Sequence, residues 1–144
     1  MESIVRVASF AQLNARTAYE LCRLRVDVFV VEQQCPYAEL DGRDIEPGTR
    51  HFWLDRHGHP VAYLRLLREA DGVHRIGRVC VAPPARGDGL AATLMRAAVA
   101  EIGPGAAVLA AQAPLASWYE RFGFQVSGRQ FLEDGIAHIP MRRG

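Results

Sequence analysis

Lysine is absent from the sequence, and all 17 basic residues among its 144 residues are arginine. This excludes a Walker-type phosphate-binding loop and Schiff-base chemistry through a lysine of the protein. Cysteine is also rare, since Cys22, Cys35 and Cys80 are widely spaced and form no CxxC or zinc-ligand pattern. Their odd number predicts free thiols rather than a disulfide framework, and we expect no metal site.

Long apolar runs and strong net charge are missing as well. No stretch approaches the roughly 18–20 apolar residues of a membrane span, and the first residues lack a basic region followed by an apolar segment. These absences predict a cytoplasmic protein without a membrane partner. The net charge of +1 gives no field that attracts nucleic acid. The length of 144 residues predicts one domain that spans 1–144.

Hydrophobic periodicity predicts an α+β domain with a mixed sheet. Asn14 is the predicted N-cap of the first helix, and 31–50 is expected to be irregular because of its Pro and Gly residues. The run 106–111 is uniformly apolar, which favours a parallel strand buried on both faces. The predicted strands are 4–10, 51–55, 61–68, 75–81, 106–111, 124–131 and 136–141, and the predicted helices are 14–30, 90–102 and 114–122.

A glycine-rich loop runs from Arg86 into the helix 90–102. Gly87 and Gly89 lack Cβ, so this backbone can adopt positive φ and approach a ligand closely. Successive N–H groups and the positive end of a helix favour a pyrophosphate site. Asp88 would repel a phosphate unless its carboxylate points outward. The alternative is an ordinary connection between a strand and a helix, with glycines at the helix cap.

The pattern Arg86-x-x-Gly89-x-Ala91 after a Val-x-Val strand end resembles the acetyl-CoA signature of the GNAT superfamily of N-acetyltransferases. The segment 118–124, Trp-Tyr-Glu-Arg-Phe-Gly-Phe, resembles the Tyr-x-x-x-Gly-Phe element of the same superfamily. Two further segments, 28–44 and 133–138, are similar to the ElaA-like branch. The order of the elements agrees over nearly the whole chain.

The resemblance implies an α/β/α sandwich with a mixed, mostly antiparallel sheet of about six to seven strands, helices on both faces and a splayed central strand pair. It implies acetyl-CoA as co-substrate and direct acetyl transfer to a primary amine of a small molecule or peptide in a ternary complex. A homodimer is one assembly it suggests. Tyr119 would protonate the departing thiolate, and Gln112 stands where the family often has Asn. The implied cofactor-binding residues are Val79, Cys80, Val81, Arg86, Gly87, Asp88, Gly89, Leu90, Ala91, Gln112 and Tyr119.

The general base is open, because no carboxylate lies in 78–81. Glu32 is the preferred candidate, since it follows an apolar run and burial would raise its pKa. His51 and His138 are the other candidates, because histidine titrates near neutral pH. Cys80 is expected to be an inert core residue rather than an acyl carrier.

Acidic residues crowd the segment 32–46, where only Arg43 opposes them. They predict either a negative field that attracts a cationic amine or an ordinary solvated loop. Because a carboxylate that could act as general base is missing from 78–81, the sequence also allows a second interpretation, in which the chain is a non-catalytic CoA-binding regulatory or interaction module.

Overall fold

The structure is a computed structural model that describes residues 4–144. The helices are α1 (Ala15–Val26), α2 (Leu90–Ile102) and α3 (Ala116–Glu120). The strands are β1 (Arg6–Ala8), β2 (Arg50–Arg56), β3 (His59–Arg68), β4 (His74–Val81), β5 (Ala107–Gln112), β6 (Gln125–Val126), β7 (Phe131–Glu133) and β8 (Ile136–Arg143). No membrane-spanning helix is found among these described residues.

All the strands form one mixed sheet of 8 strands in the order β1-β2-β3-β4-β5-β8-β6, with β7 also paired to β8. Neighbours are antiparallel except β4 and β5, which run parallel. The predicted α+β class and mixed, mostly antiparallel sheet are therefore confirmed. The sheet has one strand more than predicted because 124–131 contributes only β6 and the start of β7, with irregular backbone between them.

Helices cover the two faces of the sheet. The α2 residues Leu90, Leu94, Ala98 and Ile102 are all buried against one face, as their four-residue spacing predicts. On the other face, α1 packs against a smaller cluster of side chains from β2, β3 and β4. The chain is thus a three-layer sandwich whose parallel strand pair lies near the middle of the sheet.

The N-terminal half differs from the prediction in two places, the end of the first strand and the end of the first helix. The first strand ends at Ala8, and a 3₁₀ turn over Phe10–Gln12 follows it. Asn14 caps α1 as predicted, since its side-chain oxygen accepts from the Thr17 N–H at 2.8 Å. After Val26 the helix continues as a π-helical segment, Asp27–Glu32. Such segments are rare and occur often at functional sites.

The prediction that β5 is buried on both faces is wrong. Ala107, Leu109 and Ala111 are buried, but Ala110 between them is exposed. Only one face of this apolar strand is buried. The other face opens onto a cleft, and small side chains there leave room for a ligand.

Candidate active site

β4 and β5 part soon after they meet. Only His74 with Ala107 and Arg75 with Val108 are in register, although the strands continue to Val81 and Gln112. A cleft of about 1020 Å³ lies at this separation, at the upper end of ordinary ligand pockets. Beyond the split, none of the strands formed by residues 4–144 lies beside the edge of β4 that faces β5. An extended ligand can therefore pair with this edge as an added strand.

The glycine-rich loop forms one end of the cleft. Gly87 and Gly89 have φ of +91° and +73°, and the space where a Cβ would lie is open at both. Gly89 is the N-cap of α2, so the N–H groups of the first helical turn have no partner within the helix. Asp88 points away from them, because Arg56 binds its carboxylate at 2.7 Å. The loop thus offers free amide donors and a helix N-terminus, which fit the diphosphate of a CoA thioester.

Arg86 is held by two elements. Its Nε donates to the Val81 carbonyl at 2.9 Å, and its two terminal nitrogens bind the Glu32 carboxylate at 2.6 and 2.7 Å. The bond to Arg86 lowers the pKa of Glu32, whose side chain is about as exposed as that of Arg86. The expectation that burial raises the pKa of Glu32 is wrong. Glu32 is an ionised partner of the arginine expected to bind diphosphate.

The π-helical segment crosses the mouth of the cleft. Glu32 at its end binds Arg86 on the β4 side, and Gln33 follows directly. The Gln112 side chain at the end of β5 donates to the Gln33 side chain at 3.4 Å. The two sides of the strand split are thus bridged by consecutive residues of one segment, and Gln112 lies among the residues that line the cleft.

Tyr119 and Cys80 both line the cleft and are largely buried. Tyr119 on α3 is buried, and burial together with the neighbouring Cys80 raises its pKa to about 12. Burial also raises the pKa of the Cys80 thiol to about 12. The thiol is therefore protonated near neutral pH, which agrees with an inert core residue and disfavours an acyl-carrying role.

The two histidine candidates occupy different places. His51 is buried away from the cleft, where its Nε2–H donates to the Asp44 carbonyl and its Nδ1 accepts from the Tyr63 hydroxyl, at 3.0 and 2.6 Å. Both nitrogens are used, so the structure contradicts a role for His51 as general base. His138 lies on β8 and lines the cleft. Its Nδ1–H donates to the Ile136 carbonyl at 2.8 Å, which leaves the Nε2 lone pair available to accept a proton.

The acidic segment fits neither of its two expectations, a negative field or an ordinary solvated loop, because arginines pair with its carboxylates. Glu39 is buried and binds Arg25 and Arg78 at 2.8 and 2.9 Å. Asp41 is bound to Arg65 and Arg78, and Asp44 to Arg25 and Arg65, all of them distant in sequence. Glu46 pairs with Arg43, three positions before it. Arg65 holds the pKa of Asp41 near 2 against the desolvation that opposes it. The cluster lies between the segment and the sheet, with Arg25, Glu39, Asp44 and Arg65 buried and Asp41 at its edge.

Two cleft residues escaped the sequence reasoning. Arg78 sits on β4 with φ of +55°, a left-handed conformation that is uncommon for arginine. Its guanidinium lies over the Tyr37 ring, 5.6 Å from the ring centroid, and both residues line the cleft. Gly77 directly before it is the one local signal that could have indicated this backbone, because an isolated glycine within a strand pattern often marks a bulge.

Within the described part of the chain, His, Cys, Asp and Glu side chains form no group of three or more that could hold a metal ion.

Comparison with known proteins agrees with this geometry. Residues 11–143 match the family model of the acetyltransferase (GNAT) domain. A UPF0039 protein of Mycobacterium tuberculosis is 51% identical over 135 residues, which cover 91% of this chain and 86% of that protein. Protein ElaA of Escherichia coli is 38% identical over 139 residues, which cover 92% of this chain and 91% of ElaA.

Solved structures give the same result. The crystal structure of an acyl-CoA N-acyltransferase from Pseudomonas aeruginosa has a TM-score of 0.93 at 40% identity, with 98% of this chain and 99% of that chain covered. The crystal structure of Escherichia coli ElaA has a TM-score of 0.91 at 34% identity, with 99% and 100% covered. The matches extend over nearly the whole chain and include the cleft and its loop. The chain therefore belongs to the GNAT acetyltransferase family, in its ElaA-like branch.

Proposed function

We propose that the chain is an acetyl-CoA-dependent N-acetyltransferase that moves the acetyl group directly to a primary amine of a small molecule or peptide. The observation that carries the proposal is the separation of β4 from β5 beside the glycine-rich loop. This arrangement offers a free strand edge and a free helix N-terminus in one cleft. The similarity to an acyl-CoA N-acyltransferase from Pseudomonas aeruginosa supports it.

The co-substrate would lie along the β4 edge. The backbone of Val79, Cys80 and Val81 would pair with the amide-bearing pantetheine arm, and one of their N–H groups would stabilise the negative charge that develops on the thioester oxygen. The amides of 87–91 would bind the diphosphate, because the Arg86 N–H already donates to the Pro83 carbonyl. Arg86 would contribute a charged donor once a phosphate replaces Glu32 as its partner.

Tyr119 would act as general acid toward the departing thiolate. Burial of its side chain and the nearby Cys80 raise its pKa to about 12. The hydroxyl is therefore protonated near neutral pH, as a general acid requires.

His138 would act as general base toward the attacking amine. An alkylamine is mostly protonated near pH 7, so a group that takes up a proton is needed for attack. His138 lines the cleft, and its Nδ1 bond to the Ile136 carbonyl sets the tautomer that leaves Nε2 free. The Phe131 ring stacks on the imidazole with a centroid distance of 5.8 Å, which limits its rotation.

The test is amine-dependent release of free thiol. Purified protein is incubated with acetyl-CoA and, separately, with polyamines, aminoglycosides, amino acids and peptides, and longer acyl-CoAs are compared with acetyl-CoA. Thiol released only when an amine is present, together with an acetylated amine detected by mass spectrometry, supports the proposal. Tight acetyl-CoA binding without turnover on any amine would favour the CoA-binding regulatory module instead.

A further inference from the structure

The central feature is a β-bulge in β4. Val81 pairs with Ala62, Cys80 with Tyr63 and Gly77 with Arg65, so two residues, Arg78 and Val79, lie opposite Leu64 alone. A bulge leaves one residue of its strand without a ladder partner and redirects the backbone after it. Here the backbone after the bulge is the edge 79–81 that faces the cleft.

The bulge places Arg78 in an unfavourable conformation. Its φ of +55° brings the side chain close to its own backbone, a penalty that glycine does not have. Side-chain contacts offset this penalty. Nε donates to the Glu39 carboxylate at 2.9 Å, and Nη2 lies 3.3 Å from the Glu39 carbonyl and 3.4 Å from the Asp41 carboxylate. The guanidinium also lies over the Tyr37 ring.

Glu39, which anchors the Arg78 side chain, is itself held by other residues. The Glu39 carboxylate is buried and accepts from the Arg25 Nε at 2.8 Å and from the Tyr37 hydroxyl. Arg25 comes from α1 and is almost fully buried. The bulge is therefore tied through Arg78 to a buried ionic cluster, and the cluster is tied to the helix that covers this face of the sheet.

We propose that Arg78 is a positioning residue, whose side chain holds the left-handed bulge that aims a β4 backbone N–H at the thioester oxygen. The inference rests on the proposed function, because it assumes that acetyl-CoA lies along 79–81. It assigns the acidic part of the ElaA-like segment, Glu39 and Asp41, to the support of β4. In this role the carboxylates act on the acyl donor through Arg78 and do not attract the amine.

The test compares Arg78→Gly with Arg78→Ala. Glycine adopts positive φ without strain, so it keeps the bulge although the side chain is gone, whereas alanine retains the strain and loses the contacts that offset it. The readout is the infrared carbonyl band of acetyl-CoA labelled with ¹³C at the carbonyl. We expect a shift of this band to lower frequency on binding to the wild type and to Arg78→Gly. In Arg78→Ala the shift is lost and kcat falls about 10-fold or more.

Each other outcome contradicts the inference. Equal loss of the band shift in both variants would mean that the side chain acts directly, and an unchanged shift in Arg78→Ala would mean that the bulge needs no anchor. If the alanine variant does not fold, Arg78→Lys replaces it. Lysine keeps one donor group at the same strained φ, so an intermediate band shift is expected and a full shift would overturn the anchor. Failure of the wild type to bind acetyl-CoA would instead overturn the proposed function and this inference with it.

Discussion

Replacement of Tyr119 by Phe removes one hydroxyl from the cleft and tests the proposed chemistry. The ring of Tyr119 is buried, and no side-chain hydrogen bond contributes to the pKa of its hydroxyl among the residues described by the structure. Phenylalanine can keep the same packing. We therefore expect a thermal midpoint and an acetyl-CoA Kd close to those of the wild type.

The effect on kcat follows from the proton donor that remains. Without Tyr119, whose pKa is about 12, the thiolate must take its proton from water, whose pKa is about 16. A difference of about 4 in pKa, with proton transfer about half complete in the transition state, corresponds to a loss of about 100-fold in kcat. The loss grows if water cannot enter the dry end of the cleft.

The assay is thiol release under saturating acetyl-CoA and amine, with Tyr63→Phe as the matched control. Tyr63 is also a buried tyrosine, but its hydroxyl bonds His51 in the core, so this control is expected to lower the thermal midpoint. Its kcat should stay near that of the wild type. A Tyr119→Phe enzyme with unchanged kcat would remove Tyr119 from the mechanism. The same conclusion would hold if the activity of Tyr119→Phe fell only in proportion to the fraction of unfolded protein.

Further expectations concern the loop, the π-helical segment and the core. Gly89→Val should weaken acetyl-CoA binding measured by calorimetry at least about 10-fold, because the side chain enters the open space of the loop. Gly72→Val carries the same left-handed strain in a distant hairpin and should leave the Kd unchanged. Glu32→Gln should tighten acetyl-CoA binding about 2- to 5-fold, because it removes an anion that competes with the diphosphate for Arg86. Asp88→Asn in the glycine-rich loop should leave the Kd unchanged, because the Asp88 carboxylate binds Arg56 instead. Burial lowers the pKa of His51, so the unfolded chain takes up a proton below about pH 6.5 that the folded chain does not. The thermal midpoint should therefore fall as pH drops through that range, and the slope should flatten in His51→Gln.

Local patterns predicted the parts of the fold that depend on neighbouring residues. The apolar residues of α2 recur every four positions, and the predicted helix 90–102 agrees with the observed helix at both ends. The loop 86–91 was also predictable, since its two glycines adopt positive φ and its open face lies at the start of α2. In each case the determining interactions lie within one helical turn or one loop.

Residues whose roles depend on distant partners were predicted less well. Glu32 follows an apolar run, which suggested burial, but its partner Arg86 is 54 positions away and keeps it ionised near the surface. Asp44 belongs to a segment that appears uncompensated in sequence, yet Arg25 and Arg65 bind it in the folded chain. Sequence periodicity reports which side chains are apolar. It does not report which ion pairs form when strands and helices assemble.

The burial of Glu39 and Arg25 supports the proposed role of this ionic cluster in the architecture of an acyl-donor site. Glu39 is nearly inaccessible and has three donors, from Arg25, Arg78 and Tyr37. Loss of Arg25 would leave Glu39 without its most deeply buried partner, whereas loss of Arg78 leaves Arg25 and Tyr37 bound to it. Arg78 alone among them lies in the strand that faces the cleft, directly before Val79. A cluster of this kind restricts the position of one backbone segment more tightly than apolar packing does, because hydrogen bonds are directional. That property suits a strand edge whose amides must meet a thioester oxygen within a narrow range of distance and angle.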